Sequence, residues 1–416
     1  MKLFCLLIAV AAAFPAFAGL SDFQLAVPKK GEAPKLWDMA KLSKAPRELP
    51  CDVKLDFELP PNIRPVLYEG AAYKGYPTRV FALLGMPEKV TGPVPGIVLV
   101  HGGGGTAFAA WAEHWTRQGY AVIAMDTVGK YPLRAAELTK KDGPCRAKLK
   151  HGGPDTYKQE RDLKTPENSW TVQAVSSVIL GHSLLREQPN VIKEKIGIVG
   201  ISWGGYLTCI ASAVDHRFAA ATPVYGCGFL AQSGWTLKRI SDPAWLKLYD
   251  PANYLPSVEC PILFINRPTD PPYEFSSWTK SSFLPERANR SCRPNFGHSH
   301  KEGVRPESDI FMDSVLRGAP ALPVVSGMTR SGDTVSATFT ASAPVEKATL
   351  AWTSDTGPEP QRKWQEIPAE IKGNTVSAAI PAEAGTFYLN VYDHRGGVIS
   401  ALPALNRQVR EGGHTK

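Results

Sequence analysis

The chain has 416 residues, 43% hydrophobic and 21% charged, with a formal net charge of +8. This composition can bury a sizeable core and excludes intrinsic disorder, while 36 glycines and 36 prolines without a G-X-Y period exclude collagen. The basic residues are spread along the chain rather than clustered with aromatics, which argues against nucleic-acid binding, and the length points to two or three domains.

The first element is a targeting segment. Met1-Lys2 is positive, Leu3–Ala13 is apolar, and Ala16-Phe17-Ala18 before Gly19 has the small-x-small form of a cleavage site. A signal peptide over 1–18 is expected, and with it a secreted or periplasmic protein. The apolar run is too short to span a bilayer, and no later run reaches about 18 apolar residues, so no membrane span is expected. Cys5 lies inside the run, which argues against a lipid anchor. Six cysteines remain: Cys51, Cys145, Cys209, Cys227, Cys260 and Cys292. Their pairing is open in an oxidising compartment, and Cys209 and Cys227, in apolar segments, read as small buried residues. No C-x-x-C spacing occurs, so no zinc site is expected, and neither metal nor cofactor is called for.

Residues 19–60 form a Pro- and Lys-rich arm that wraps the core, ahead of a catalytic domain over 61–318. Val94–Val100 is a continuous apolar run and Tyr120–Met125 is a second, both expected in the middle of a parallel sheet. Ala109–Gln118 between them is helical. Residues 130–167 are charged and turn-rich, with a breaker at 140–144, and read as an insertion over the sheet edge. Helix over Ser169–Arg186, strand over Ile196–Val199, helix over Gly204–Ala213 and strands over Ala219–Val224 and Ile262–Ile265 continue the alternation. The fold class is therefore α/β, a doubly wound, mostly parallel sheet. After a proline-stiffened linker at 319–323, four short alternating runs begin at Thr334, Ala348, Thr375 and Phe387. They predict an immunoglobulin-like β-sandwich over 324–408, followed by a tail over 409–416.

The chemistry is concentrated at strand ends. Gly200-Ile201-Ser202-Trp203-Gly204-Gly205-Tyr206 follows a strand and opens a helix, the setting of a nucleophile elbow. Its glycines let neighbouring backbones approach a serine held on a strained turn. His101 followed by Gly102–Gly105 ends the first central strand and supplies an oxyanion loop. One oxyanion-binding N–H is expected from Trp203 and another from Gly103 or Gly104. His101 reads as structuring the loop, and the G-x-G-x-x-G spacing of a dinucleotide loop is missing. A serine needs a base and an orienting carboxylate, in the order Ser, Asp/Glu, His. Asp270 lies beyond strand Ile262–Ile265, with Glu274 as the reserve. Gly297 directly before His298 selects His298 over His300, and His216 precedes the acid and fits less well.

Gly200–Tyr206, Val224–Leu230, His101–Gly105 and Asp393–Gly397 together resemble secreted bacterial α/β-hydrolases of the acetyl xylan esterase-like and dienelactone hydrolase-like kind. The similarity covers most of residues 60–405. It implies an α/β-hydrolase fold, hydrolysis of small acyl esters on an acylated poly- or oligosaccharide, Ser202 as nucleophile, Asp270 as acid and His298 as base. The chain departs from such proteins at Arg267-Pro268, where they carry a glycine after the asparagine. Two alternatives stand beside this reading. A prolyl-oligopeptidase-like serine peptidase shares the elbow, but too few residues precede the core here for a β-propeller. A non-catalytic glycan-binding protein would use Trp170, Trp235, Trp245 or Trp278 as stacking platforms, although core packing is the commoner role for such residues.

Overall fold

A computed structural model gives the protein's structure over residues 28–133, 146–155, 163–233 and 242–402. The expected signal segment 1–18, the breaker at 140–144, Cys145, Trp235 and the tail 409–416 lie outside these residues.

Among the described residues, eleven strands precede the C-terminal region: β1 (Glu48–Leu49), β2 (Ile63–Tyr73), β3 (Tyr76–Gly85), β4 (Val94–Val100), β5 (Ala121–Met125), β6 (Lys130–Pro132), β7 (Arg146–Lys148), β8 (Val191–Ile201), β9 (Ala220–Val224), β10 (Ile262–Asn266) and β11 (Ala288–Cys292). Nine of them form one sheet in the order β1-β2-β3-β5-β4-β8-β9-β10-β11, while β6 and β7 pair separately. From β5 to β11 every pairing is parallel. The central strands are parallel because their side chains are apolar on both faces; every residue of β5, β9 and β10 is buried.

The helices are α1 (Met39–Leu42), α2 (Ala109–Arg117), α3 (Trp170–Arg186), α4 (Trp203–Val214), α5 (Pro243–Tyr249), α6 (Phe275–Ser282) and α7 (Pro306–Arg317). They cover both faces of the sheet. Gly96 pairs with Ile196 and Ile97 with Gly197, so the two glycines point to opposite faces. The first meets Leu185 of α3 and the second Met312 of α7. Ser169 starts α3 by accepting the Val172 N–H, and Gly318 ends α7 with a φ of +74°. The N-terminal arm is tied down at Trp37, whose indole donates to the Val172 carbonyl, and at Leu42, whose carbonyl accepts from Ser183.

The sheet is more mixed than the sequence suggests. β1, β2 and β3 add to it antiparallel, and β2–β3 is a long hairpin over a stretch to which the sequence reading assigns no element. Arg64, Glu69 and Arg79 interrupt its apolar pattern, because this margin of the sheet partly faces water.

The C-terminal region is all antiparallel: β12 (Val324–Val325), β13 (Thr329–Ser331), β14 (Thr334–Thr340), β15 (Val345–Thr353), β16 (Gln365–Lys372), β17 (Thr375–Ala379), β18 (Thr386–Asp393) and β19 (Val398–Ala401). The order is β12-β14-β17-β16-β15-β18-β19, with β13 beside β14. The sheet encloses its own core, including Val335, Leu350, Trp352, Val376 and Leu389. The expected linker is held in place: Arg395 donates to the carbonyls of Pro320 and Ala321, and Leu322 is buried. No helix among the described residues is long and apolar enough to cross a membrane. Cys51, Cys209, Cys227, Cys260 and Cys292 are unpaired thiols, with Cys209 and Cys227 buried.

Candidate active site

Strand β8 ends at Ile201 and α4 begins at Trp203, which leaves Ser202 alone on the turn. Its φ of +57° is a conformation that non-glycine residues rarely adopt. Two backbone bonds hold it there: the Ser202 N–H donates to Val224 at 2.8 Å, and its carbonyl accepts from Tyr206 at 2.9 Å. The glycines of the motif are sterically required, since a Cβ on Gly204 would collide with the Val100 carbonyl and one on Gly200 with the Gly204 carbonyl.

The loops after β10 and β11 bring two further side chains to this turn. His298 Nε2 lies 2.9 Å from Ser202 Oγ, and His298 Nδ1 lies 2.6 Å from Asp270 Oδ2. Asp270 is fully buried, and its other oxygen accepts the Tyr273 N–H at 2.9 Å. The Asn266 side chain donates to the Tyr273 carbonyl, so the acid loop is closed at both ends. Glu274 instead sits at the start of α6, and His216 lies near Glu259, away from this group.

Trp203 is the first residue of α4, with its ring against Trp170 and Tyr206. At the turn beyond β4, Gly103 is half-buried and Gly104 is exposed, and Gly104 has a φ of +79°. His101 is buried beneath that turn. Its Nδ1 donates to the Gly102 carbonyl at 2.8 Å, and its Nε2 accepts the Thr127 N–H at 3.0 Å. Burial pushes its pKa down to about 3, so it stays neutral and braces the loop. His300 faces the same turn: a Cβ on Gly105 would stand 2.6 Å from its Nε2, and its ring lies against Phe108 and Trp111. Burial, and then the neighbouring His298, push His300 down to about 4.

Several residues at the site were not singled out as site residues by the sequence reading. Tyr225 stacks on His298 with ring centroids 4.4 Å apart and donates its hydroxyl to the Gly297 carbonyl. The Val224–Leu230 motif contained the signal. Arg267, the departure in the acid loop, donates to the Phe296 carbonyl at 2.9 Å and lies 3.6 Å from Asp270, thereby bridging the acid and histidine loops. Arg146 of β7 donates to the Gly105 carbonyl, which brings the insertion to the rim of the site. Of the four tryptophans considered as sugar platforms, Trp170, Trp245 and Trp278 are buried.

Residues 80–282 match the dienelactone hydrolase family. The match spans Ser202 and Asp270 and stops before His298. The protein is a hydrolase acting on carboxylic esters, of the serine esterase type. Among solved structures, the hydrolase is similar to an acetyl xylan esterase from Paenibacillus sp. R4, at 21% identity and a TM-score of 0.52, covering 72% of this chain and 99% of that one. It is also similar to acetyl xylan esterase 1 from Thermoanaerobacterium sp. JW/SL YS485, at 16% identity and a TM-score of 0.51, covering 72% and 98%. At these identities the likeness is one of fold. No curated protein matches the chain in sequence. Among the described residues, no cluster of three or more His, Cys, Asp or Glu side chains is arranged to hold a metal ion.

Proposed function

We propose that the hydrolase is an exported serine carboxylesterase that removes acetyl or similarly small acyl groups from a poly- or oligosaccharide through an acyl-serine intermediate. The observation that carries this reading is the hydrogen-bonded series Ser202, His298, Asp270 on a strained strand-to-helix turn. His298 donates Nδ1–H to Asp270, which leaves Nε2 as the acceptor for the Ser202 proton. Ser202 Oγ attacks the acyl carbonyl, His298 takes its proton, and buried Asp270 stabilises the imidazolium. The developing oxyanion is received by the N–H of Trp203 and that of Gly103 or Gly104. The tetrahedral species collapses, His298 returns the proton to the departing sugar hydroxyl, and Ser202 is left acylated. Water, deprotonated by His298, then releases the carboxylic acid and restores Ser202. The carbohydrate part of the proposal is supported by the two similar structures, both named acetyl xylan esterases.

The test is acetate release from a panel of acetylated glycans, with p-nitrophenyl acetate and an aminoacyl nitroanilide alongside, by wild type and Ser202→Ala. Ester hydrolysis that falls by several orders of magnitude in Ser202→Ala is expected. Activity that survives in the variant would show the nucleophile to be another residue. Nitroanilide cleavage without ester cleavage would make the protein a peptidase. Polysaccharide binding without any acid release would make it a glycan-binding protein.

A further inference from the structure

Asp270 and His298 both lie on loops that leave the last two strands of the sheet, β10 and β11. β11 is the edge strand, and an edge normally exposes unpaired backbone groups. Here its free side is covered by the C-terminal sheet through side chains rather than a continued ladder. The Cys292 N–H donates to Ser400 Oγ at 2.8 Å, and the Cys292 carbonyl accepts from Asn390 Nδ2 at 3.0 Å. Ser400 in turn donates to Asn390 Oδ1 at 2.6 Å, and all three residues are buried. Cys292 is the last residue of β11, and the histidine loop starts at the next position.

The same region grips that loop again one residue later. Arg293 donates to the Gly396 carbonyl and pairs with Glu307, a fully buried carboxylate. Glu307 also pairs with Arg305, whose guanidinium lies 4.5 Å from the centre of the Phe296 ring. Phe296 stands two residues before His298 and receives Arg267 from the acid loop.

The acid loop is held from its far end. α6 begins five residues after Asp270, and the Ser276 N–H donates to Glu359 Oε2 of the C-terminal region at 3.0 Å. A carboxylate at a helix N-terminus is favoured by the unpaired N–H groups there. Phe275 packs at 5.5–5.6 Å from Tyr388 and Trp364, which also pack on each other.

We propose that the C-terminal sheet is a positioning module for the reacting groups, setting Asp270 and His298 against Ser202 through Ser400, Asn390 and Glu359, and not a substrate-binding module. These three are positioning residues, since none touches Ser202 or His298. The inference rests on the esterase reading of the site. Its physical basis is that proton transfer from Ser202 to His298, with Asp270 orienting the imidazole, needs sub-ångström alignment, and both loops are anchored at only a few points.

The test uses the full-length protein and the variants Glu359→Ala, Glu359→Gln, Ser400→Ala and Asn390→Ala, each first shown to be folded by circular dichroism. With p-nitrophenyl acetate, Glu359→Ala and Ser400→Ala should lose about 10- to 100-fold in kcat at unchanged KM. The acidic limb of the kcat/KM profile should move with them, and Glu359→Gln, which keeps an acceptor oxygen, should recover most of the loss. Unchanged kcat and an unchanged pH profile with only a lower Tm would overturn the proposal and leave the sheet a structural cap. A KM raised for acetylated glycan alone would overturn it in favour of substrate binding. Glu359 is on the surface side of the interface, so its variants test the idea even if Ser400→Ala and Asn390→Ala do not fold. If wild type hydrolyses no ester, the esterase reading fails by itself. The His298 titration, followed by NMR in wild type and Glu359→Ala, then still decides the positioning claim: a shifted titration supports it and an unchanged one sinks it.

Discussion

Asp126 sits under the glycine turn with only one of its two oxygens satisfied. Oδ1 accepts the N–H groups of Val128 and Lys130, each at 2.8 Å, whereas Oδ2 is buried without a hydrogen-bond partner. The nearest candidate, His101 Nε2 at 3.6 Å, is already accepting from Thr127 and is held neutral by burial, so no ion pair forms at neutral pH. Burial pushes the Asp126 carboxyl up to about 6. Between about pH 4 and pH 6 the folded chain therefore keeps a proton that the unfolded chain has released. Stability from this group is fullest below that window, falls as pH rises through it, and is flat above. Asp126→Asn keeps the Oδ1 acceptor and removes the charge. Relative to wild type, its gain in stability should be about 3 kcal/mol larger at pH 8 than at pH 3, as read from urea unfolding at both values. A gain of equal size at pH 3 and pH 8 would assign the effect to packing rather than charge.

At the scale of elements, the turn between β4 and α2 shows why this site needs glycines. His101 and the Gly105 N–H both bond the Gly102 carbonyl, and the turn is folded against the His300 ring. An alanine at 105 must displace that ring, and the turn that carries Gly103 and Gly104 moves with it. Gly105→Ala should lower kcat on p-nitrophenyl acetate by about 100-fold, and His300→Ala added to it should restore most of the loss. A double variant no better than Gly105→Ala alone would mean that the strain is relieved elsewhere. Much of this arrangement was legible before the structure. β4, β5, β9 and β10 announce themselves by being apolar on both faces, and Ser202 by the small residues its turn demands. β2 and β3 did not, because their apolar pattern is broken where one face meets water. Ser400, Asn390 and Glu359 were out of reach for a different reason: their partners are 83 to 108 residues away, and no local pattern encodes such a meeting.

At the scale of the whole molecule, the two sheets do not divide the apolar surface evenly. The C-terminal sheet encloses a cluster of its own, yet Ala351, Tyr388, Ile399 and Leu402 belong to the core of the larger sheet. Leu322 of the expected linker belongs to it as well, packed against Gly397 and Ile310. Removing the C-terminal region would thus open the main core, bare the β11 edge and leave the Cys292 backbone groups without their buried partners. The bared edge is a template for pairing with another chain, and the opened core exposes apolar side chains to water. A chain ending at Gly318 should accordingly be expressed as aggregate, or melt well below the full-length protein, when the two are compared by size-exclusion chromatography and thermal denaturation. A truncated chain that stayed monomeric with an unchanged Tm would mean that the larger sheet is complete without its companion. The asymmetry also explains why the boundary reads as a linker in sequence and behaves as core in the fold. Pro320 and Pro323 stiffen the segment, but Arg395 holds its carbonyls and Leu322 is buried, so the two sheets meet as one packed body.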